Sequence, residues 1–178
     1  FIEIVKWDGI LNFTEEEVAY ACEVTKALGA RGLSTEIGPM GTQKVGQVVE
    51  KHGLMIGYHG HTETGDADWE RVFAESRGCG ANVDIGHYVG GHKTSPVPFI
   101  RKYHDRITHI HVKDKTLANV NVPFGLGDTP IVEALRLIRD NKWNIQATIE
   151  FEYPVPGGSD RMAEIAKCLE YCKAALLG

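Results

Sequence analysis

Residues 107–114 read Ile-Thr-His-Ile-His-Val-Lys-Asp, and the polar positions in this stretch bear most directly on the fold. A strand buried in a parallel sheet is normally a continuous apolar run, whereas here every second position is polar. Side chains at positions i and i+2 of a strand share one face. We therefore predict that His109, His111 and Lys113 point to the same side, toward a polar site at the end of the strand.

Outward from this strand, short apolar runs alternate with helical patterns, which predicts repeated βα units and a parallel sheet. Thr14 and Glu17 form a capping box at the start of the first helix, and Thr129 is predicted to cap a later helix with Pro130 at its first position. The predicted strands are 33–37, 54–59, 81–85, 107–112 and 147–151, and the predicted helices are 14–29, 42–52, 68–77, 98–104, 129–141 and 160–177. No Pro-, Gly- or Ser-rich linker separates them, so we predict a single domain over residues 1–178.

Polar side chains that can bind metals follow the same end of four consecutive predicted strands. They are His59 and His61, Asp84 and His87, His109, His111 and Lys113, and Glu150 and Glu152. An open doubly wound sheet would fit the chain length, but only a closed barrel would let these side chains converge on one axial site. Because an eight-stranded barrel needs about 250 residues, we predict an α/β (β/α)8 TIM barrel of which this chain holds the last five βα units, with the N-terminal strands missing.

Each of these polar pairs has an ordinary explanation when it is taken alone. A His-Gly-His pair is common in polar loops, and a Glu-Phe-Glu segment is typical of a half-exposed strand. Their shared position at one end of consecutive strands favours a site instead. Imidazole together with carboxylate suits Mn, Zn, Co or Fe, whereas a site of oxygen ligands alone would have indicated Mg or Ca.

Composition narrows the class of partner. The net charge of −5 disfavours extended nucleic-acid binding, so a small-molecule partner is expected. The four cysteines include no CxxC pair, and Cys168 and Cys172 are spaced as on one helix face, which is typical of reduced core thiols. No apolar run is long enough for a membrane span, so a cytoplasmic location is the default, although the missing N-terminus leaves export open.

Five motifs together give the chain a resemblance to a known family. They are Gly57-Tyr58-His59-Gly60-His61, Asp84-Ile85-Gly86-His87, His109-Ile110-His111-Val112-Lys113-Asp114, Phe124-Gly125-Leu126-Gly127-Asp128 and Ile149-Glu150-Phe151-Glu152. In order and spacing they resemble the xylose isomerase-like TIM-barrel superfamily, which includes sugar-phosphate isomerases and epimerases, inosose dehydratases and the endonuclease IV group. The resemblance runs from about Leu33 to the C-terminus.

The resemblance implies a metal site. Family ligands are typically a Glu, an Asp, a His and a second Glu on the last four strands, which places Asp84, His111 and Glu150 in three of the four positions. His59 stands where the first Glu is expected, and we assign it as the fourth ligand. Since two opposed glutamates serve two-base epimerisation in the family, this departure puts a symmetrical mechanism in doubt.

The function implied is that of a metal-dependent sugar or sugar-phosphate isomerase or epimerase of carbohydrate metabolism, with manganese as a typical metal. It would act by proton abstraction next to a carbonyl. Glu150 or Glu152 would be the base, and Lys113 would stabilise the oxyanion. The remaining histidines, His61, His87 and His109, would line the substrate pocket.

Three alternatives stay open. A metal-dependent lyase or dehydratase acting on a keto-sugar or keto-glycoside would need one base, which suits the absent glutamate. An endonuclease IV-like phosphodiesterase would use the additional histidines, but the chain lacks an obvious basic DNA-binding stretch. A non-catalytic sugar-binding barrel is the third, and a homo-oligomer is possible in each case.

Overall fold

A computed structural model describes residues 1–4 and 10–178 of the chain. Within these residues, six strands form one sheet in chain order, and the strand pairs are parallel. The strands are β1 (Ile2–Glu3), β2 (Gly32–Glu36), β3 (Met55–His59), β4 (Cys79–Asp84), β5 (Ile107–Val112) and β6 (Gln146–Ile149). The helices are α1 (Glu15–Ala27), α2 (Thr42–Lys51), α3 (Asp66–Glu75), α4 (Ile85–His92), α5 (Val97–Tyr103), α6 (Ile131–Asp140) and α7 (Arg161–Leu177). The predicted α/β class with a parallel sheet is thereby confirmed.

Most element bounds match their predicted positions within two residues, but three features differ. A two-residue strand, β1, precedes the five predicted ones. The segment after Asp84 turns at once into helix α4, whereas the sequence pattern predicts that Ile85 ends a strand. Thr129 does not cap α6: Pro130 holds the N-cap position, and the Thr129 hydroxyl accepts the backbone N–H of Lys115 instead.

The described residues divide into two compact units. The first comprises Phe1–Gly60, Gly65–Val83 and Arg106–Thr108. Its core is formed by apolar side chains of α1, α2, α3, β2, β3 and β4, including Val18, Leu33, Val49, Ile56 and Val72. The apolar positions of these elements thus account for their burial, as the periodicity of the sequence predicts.

The second unit comprises His61–Thr64, Asp84–Asp105 and His109–Gly178. In it β5 pairs with β6, and α6 lies beside α7, where Arg136 Nε donates to the carbonyl oxygen of Ala175 at 2.9 Å. The predicted site residues, apart from His59, all belong to this unit.

The cysteines follow the predicted pattern of core thiols. All four lie in the described part of the chain as buried free thiols. Burial raises the pKa of the Cys79 and Cys172 thiols to about 11, which leaves them protonated at neutral pH. Among the described helices, none combines the length and hydrophobicity needed to span a membrane.

Loss of the α1 capping box is expected to destabilise the first unit. The Thr14 hydroxyl accepts the N–H of Glu17 at 3.2 Å, and the Glu17 carboxylate accepts the N–H of Thr14 at 2.7 Å. Thr14→Ala removes the first of these bonds and should lower the free energy of unfolding by about 1 kcal/mol. Urea denaturation measures the loss. Thr14→Ser keeps the hydroxyl and serves as the control, and equal losses in both variants would contradict the capping role.

Candidate metal centre and active site

The carboxylate of Asp84 is fixed at the point where β4 ends and α4 begins. Its Oδ1 accepts the backbone N–H of His87 at 2.7 Å, so Asp84 is the N-cap of α4. The side chain is fully buried. A carboxylate in this position favours the helix start, and its second oxygen remains directed at other groups of the site.

Lys113 lies at the centre of the site, immediately after β5. Its Nζ is 3.0 Å from Asp84 Oδ2, 3.1 Å from Glu150 Oε1 and 2.6 Å from Glu152 Oε2. Burial alone would lower the pKa of Lys113, but the charges and hydrogen bonds of these carboxylates outweigh it and hold the pKa above the ordinary value. Lys113 is therefore a cation at neutral pH.

His111 and Glu150 contact each other across β5 and β6. His111 Nδ1 lies 2.8 Å from Glu150 Oε2, and the backbone N–H of Glu150 donates to the carbonyl oxygen of Val112 at 3.0 Å. His111 and Lys113, two residues apart on one strand, thus reach the same carboxylate. This is the shared face that their spacing predicts.

The donor set of Asp84, His111 and Glu150 fits a divalent metal ion. Each residue offers one ligand atom, and these atoms lie within 4.8 Å of one another. One imidazole with two carboxylates is a combination that Mn, Zn, Co or Fe accept, and two carboxylates supply the charge such an ion requires. The three residues could therefore hold the ion that the sequence analysis expects.

Glu152 is the most accessible carboxylate of the group, with 43% of its side chain exposed against 27% for Glu150. Burial raises its pKa, but the hydrogen bond and charge of Lys113 outweigh burial and hold the pKa below the usual range. Asn121, which the sequence analysis did not single out, donates from Nδ2 to Glu152 Oε2 at 3.5 Å, the oxygen that also binds Lys113 Nζ. Glu152 is thus deprotonated and partly exposed to solvent.

His87 is a neutral imidazole at this site. Burial, aided by the charges of Lys113 and Lys115, lowers its pKa to about 4, although Asp84 opposes the shift. Its Nε2 lies 3.0 Å from Lys113 Nζ and accepts from that ammonium. The ring of His61 lies 5.0 Å from that of His87, and His61 is exposed. The assignment of both histidines to a substrate pocket stays a prediction.

His109 is buried on β5, with its ring centroid 5.6 Å from that of His111. Their closeness agrees with the predicted shared face. The assignment of His109 to a substrate pocket stays a prediction.

His59, the predicted fourth ligand, belongs to the first unit. It is buried at the carboxyl end of β3, and its Nδ1 lies 3.3 Å from both carboxylate oxygens of Glu36, its register partner on β2. Glu36 was not among the predicted site residues, although it ends a predicted strand. A carboxylate at Nδ1 fixes the tautomer and orientation of an imidazole. The role of His59 as a ligand stays a prediction.

The segment after β5 is organised by Asp114, which is buried. Its Oδ2 accepts the backbone N–H groups of Gly125 at 2.8 Å and Gly127 at 3.1 Å, and its Oδ1 accepts that of Thr129 at 3.3 Å. The Phe-Gly-Leu-Gly-Asp motif at 124–128 is thus explained by a carboxylate that binds its backbone.

Comparison with known proteins places this arrangement in context. No protein-family model matches the chain. The inosose dehydratase of Clostridium botulinum (strain Alaska E43 / Type E3) is 34% identical over 113 residues, which cover 61% of this chain and 32% of that protein. The alignment thus spans about a third of the length of this relative.

Solved structures resemble the chain over most of its length. A xylose isomerase domain protein from Planctomyces limnophilus has a TM-score of 0.70 at 20% identity, over 90% of this chain and 65% of that chain. D-allulose 3-epimerase from Methylomonas sp., solved in complex with D-allulose, has a TM-score of 0.60 at 13% identity, over 90% and 68%. Endonuclease IV from Thermus thermophilus has a TM-score of 0.61 at 12% identity, over 98% and 72%.

At these identities the structural likeness establishes the fold alone. It agrees with the resemblance that the five sequence motifs indicate, and the inosose dehydratase alignment points the same way. The chain shares the α/β fold of these three solved structures.

Proposed function

We propose that this chain, as part of one barrel domain, carries the active site of an isomerase or epimerase that uses a divalent metal and acts on a sugar or sugar-phosphate. The observation that carries the proposal is the group formed by buried Asp84, buried His111 and half-buried Glu150, with the Lys113–Glu152 pair beside it. The fold shared with D-allulose 3-epimerase, a protein solved with its sugar bound, supports a sugar as the substrate.

The metal ligands of this chain would be Asp84, His111 and Glu150. A divalent ion held there supplies Lewis acidity toward the carbonyl and hydroxyl oxygens of the substrate and stabilises negative charge on them. Because Asp84 is buried and fixed by the start of α4, the ion's position would be set before the substrate enters.

The proton would be taken from the carbon next to the carbonyl by Glu152, which is deprotonated and the more exposed of the two glutamates. Lys113 would donate a hydrogen bond to the oxygen on which negative charge develops. Glu150 is the alternative base, and neutral His87 could accept a hydrogen bond from a substrate hydroxyl. Return of the proton to the former carbonyl carbon, with transfer of the neighbouring hydroxyl proton to the former carbonyl oxygen, gives isomerisation. Delivery of a proton by a second group to the opposite face of the original carbon gives epimerisation.

Proton exchange in deuterated water tests this proposal. The purified protein would be stripped with a chelator, reloaded with Mn²⁺, Zn²⁺, Co²⁺ or Fe²⁺, and incubated with a panel of ketoses, aldoses and their phosphates. We expect metal-dependent loss of one C–H signal in the proton NMR spectrum of a substrate, together with a new isomer or epimer. Absence of exchange with every metal and sugar would contradict the proposal.

A lyase is the second candidate, and the 34% identity to inosose dehydratase is the observation that favours it. After Glu152 removes the proton next to the carbonyl, the electron pair left on that carbon can expel a hydroxyl from the next carbon, which leaves as water with one added proton. The product is an unsaturated carbonyl compound that absorbs in the ultraviolet. Growth of this absorbance with a keto-inositol, without formation of an epimer, would identify the lyase.

A further inference from the structure

Lys113 and the expected metal ion would need the same oxygen atoms. Asp84 Oδ2 and Glu150 Oε1 both bind the Lys113 ammonium, at 3.0 and 3.1 Å. The remaining oxygens of these two carboxylates are also engaged, by the backbone N–H of His87 and by the His111 ring. A divalent ion on the oxygens that bind the ammonium would repel it, most strongly at the buried Asp84 carboxylate, so binding of the ion favours displacement of one partner.

Among these partners, the lysine side chain has the most rotatable bonds, although it is buried like the others. The N–H of His87 is held by α4, and the His111 ring is carried by β5, where it is buried. Lys113 has a flexible four-carbon stem, and of its partners the third carboxylate, Glu152, and the His87 ring are not among the proposed ligands. The contact to Glu152, at 2.6 Å, is also the shortest of the three.

The net charge of Lys113 and its three carboxylate partners also suits a divalent ion. Three carboxylates, those of Asp84, Glu150 and Glu152, surround the one ammonium of Lys113. Taken by themselves, these four side chains carry two negative charges, which a divalent cation would balance if Lys113 stayed paired with Glu152.

We propose that Lys113 is a resident cation that holds Asp84 and Glu150 together in the metal-free protein and moves onto Glu152 when a divalent ion binds. Glu152 is then a positioning residue for metal uptake, through Lys113. The inference rests on the proposed metal site but concerns how that site is loaded, which is independent of the reaction it catalyses.

Calorimetric titration of the chelator-stripped protein with Mn²⁺ tests the inference. Lys113→Met removes the competing cation and should tighten Mn²⁺ binding by about 10-fold. Glu152→Gln removes the charge that receives Lys113 and should weaken binding by about 10-fold. In the Lys113→Met background, Glu152→Gln should change the affinity by less than about 2-fold, because no ammonium is left to relocate.

Two surface variants serve as controls. Lys173→Met and Glu170→Gln remove the same charges from an exposed pair on α7, whose Nζ and Oε1 atoms lie 2.8 Å apart, and should leave the Mn²⁺ affinity unchanged. Thermal unfolding gives an independent readout. The melting temperature of metal-free Lys113→Met should be lower than that of the wild type, and Mn²⁺ should raise it by more. If Lys113→Met is unfolded without metal, the Mn²⁺ titration of Glu152→Gln still tests the inference.

The outcomes separate this inference from the proposed function. Weaker or unchanged Mn²⁺ binding in Lys113→Met, or unchanged binding in Glu152→Gln, overturns the resident-cation role while the metal site stands. Failure of the wild-type protein to bind Mn²⁺, Zn²⁺, Co²⁺ or Fe²⁺ overturns both.

Discussion

Replacement of Asp84 by Asn is expected to lower kcat/KM by more than about 100-fold, since loss of a partner outside the ligand set of a metal site already lowers affinity or activity by about 10–100-fold. The side-chain oxygen of Asn can still accept the N–H of His87, so the start of α4 should be preserved. What is lost is the negative charge that faces Lys113 Nζ at 3.0 Å and would bind the ion. Steady-state kinetics on the substrate identified by proton exchange, with metal content per chain, measures the effect.

Two further variants distinguish a role of Asp84 as a metal ligand from a purely structural role. Asp105→Asn, at an exposed position, removes the same charge and should leave both activity and metal content unchanged. Asp84→Ala removes the cap as well as the charge, so it should lower the melting temperature more than Asp84→Asn does. Retention of metal and of full activity in Asp84→Asn would refute the assignment of this carboxylate as a ligand.

The strand ends of the second unit illustrate what a single sequence can predict. The bounds of β5 coincide with those predicted, because an apolar run with polar alternate positions is a strong local signal. The same alternation places His111 and Lys113 on one side, and both reach Glu150. The grouping of polar residues at the carboxyl ends of the strands follows from parallel topology.

Helix α4 shows where local signals fail. Its eight residues include three glycines, which are poor helix formers, and the sequence analysis predicts a strand that ends at Ile85 and no helix over these residues. The structure explains two of them by close packing within the second unit. A Cβ at Gly86 would lie 2.8 Å from Cγ of Lys113, and a Cβ at Gly91 would lie 1.9 Å from the carbonyl oxygen of Thr62. These contacts are tertiary, and no local window of sequence contains them.

Side-chain partners were the least predictable part of the site. That Lys113 joins Asp84 to Glu150 and Glu152 depends on distances between three different strand ends. The contact between Glu36 and His59 depends on the register of β2 against β3, which places the two residues opposite each other. The sequence alone shows which residues of a strand share a face, whereas the register between two strands is set by packing.

Loss of the Asp114 carboxylate is expected to cause the largest change in stability. Asp114→Ala removes the acceptor of three backbone N–H groups, those of Gly125, Gly127 and Thr129. A buried donor left without an acceptor costs about 1–3 kcal/mol. The cost adds up over the three N–H groups, but the exposed Gly125 can bond to water instead. We therefore expect a loss near the lower end of that summed cost, about 3 kcal/mol in the free energy of unfolding. Urea denaturation followed by circular dichroism measures it.

Asp128 offers a matched control in the same segment. It is exposed, and its Oδ2 accepts a single N–H, that of Leu117 at 2.7 Å, so Asp128→Ala should lower the free energy of unfolding by no more than about 1 kcal/mol. Gly127→Ala disturbs the same contact without removing the carboxylate, because its Cβ would lie 2.2 Å from Asp114 Oδ1 and displace the carboxylate. If Asp114→Ala were no less stable than Asp128→Ala, the carboxylate would not be what organises the segment. Because the Cβ added at Gly127 would also lie 2.8 Å from the carbonyl oxygen of Lys115, a loss of stability in Gly127→Ala reports on the packing of the segment as well as on the carboxylate.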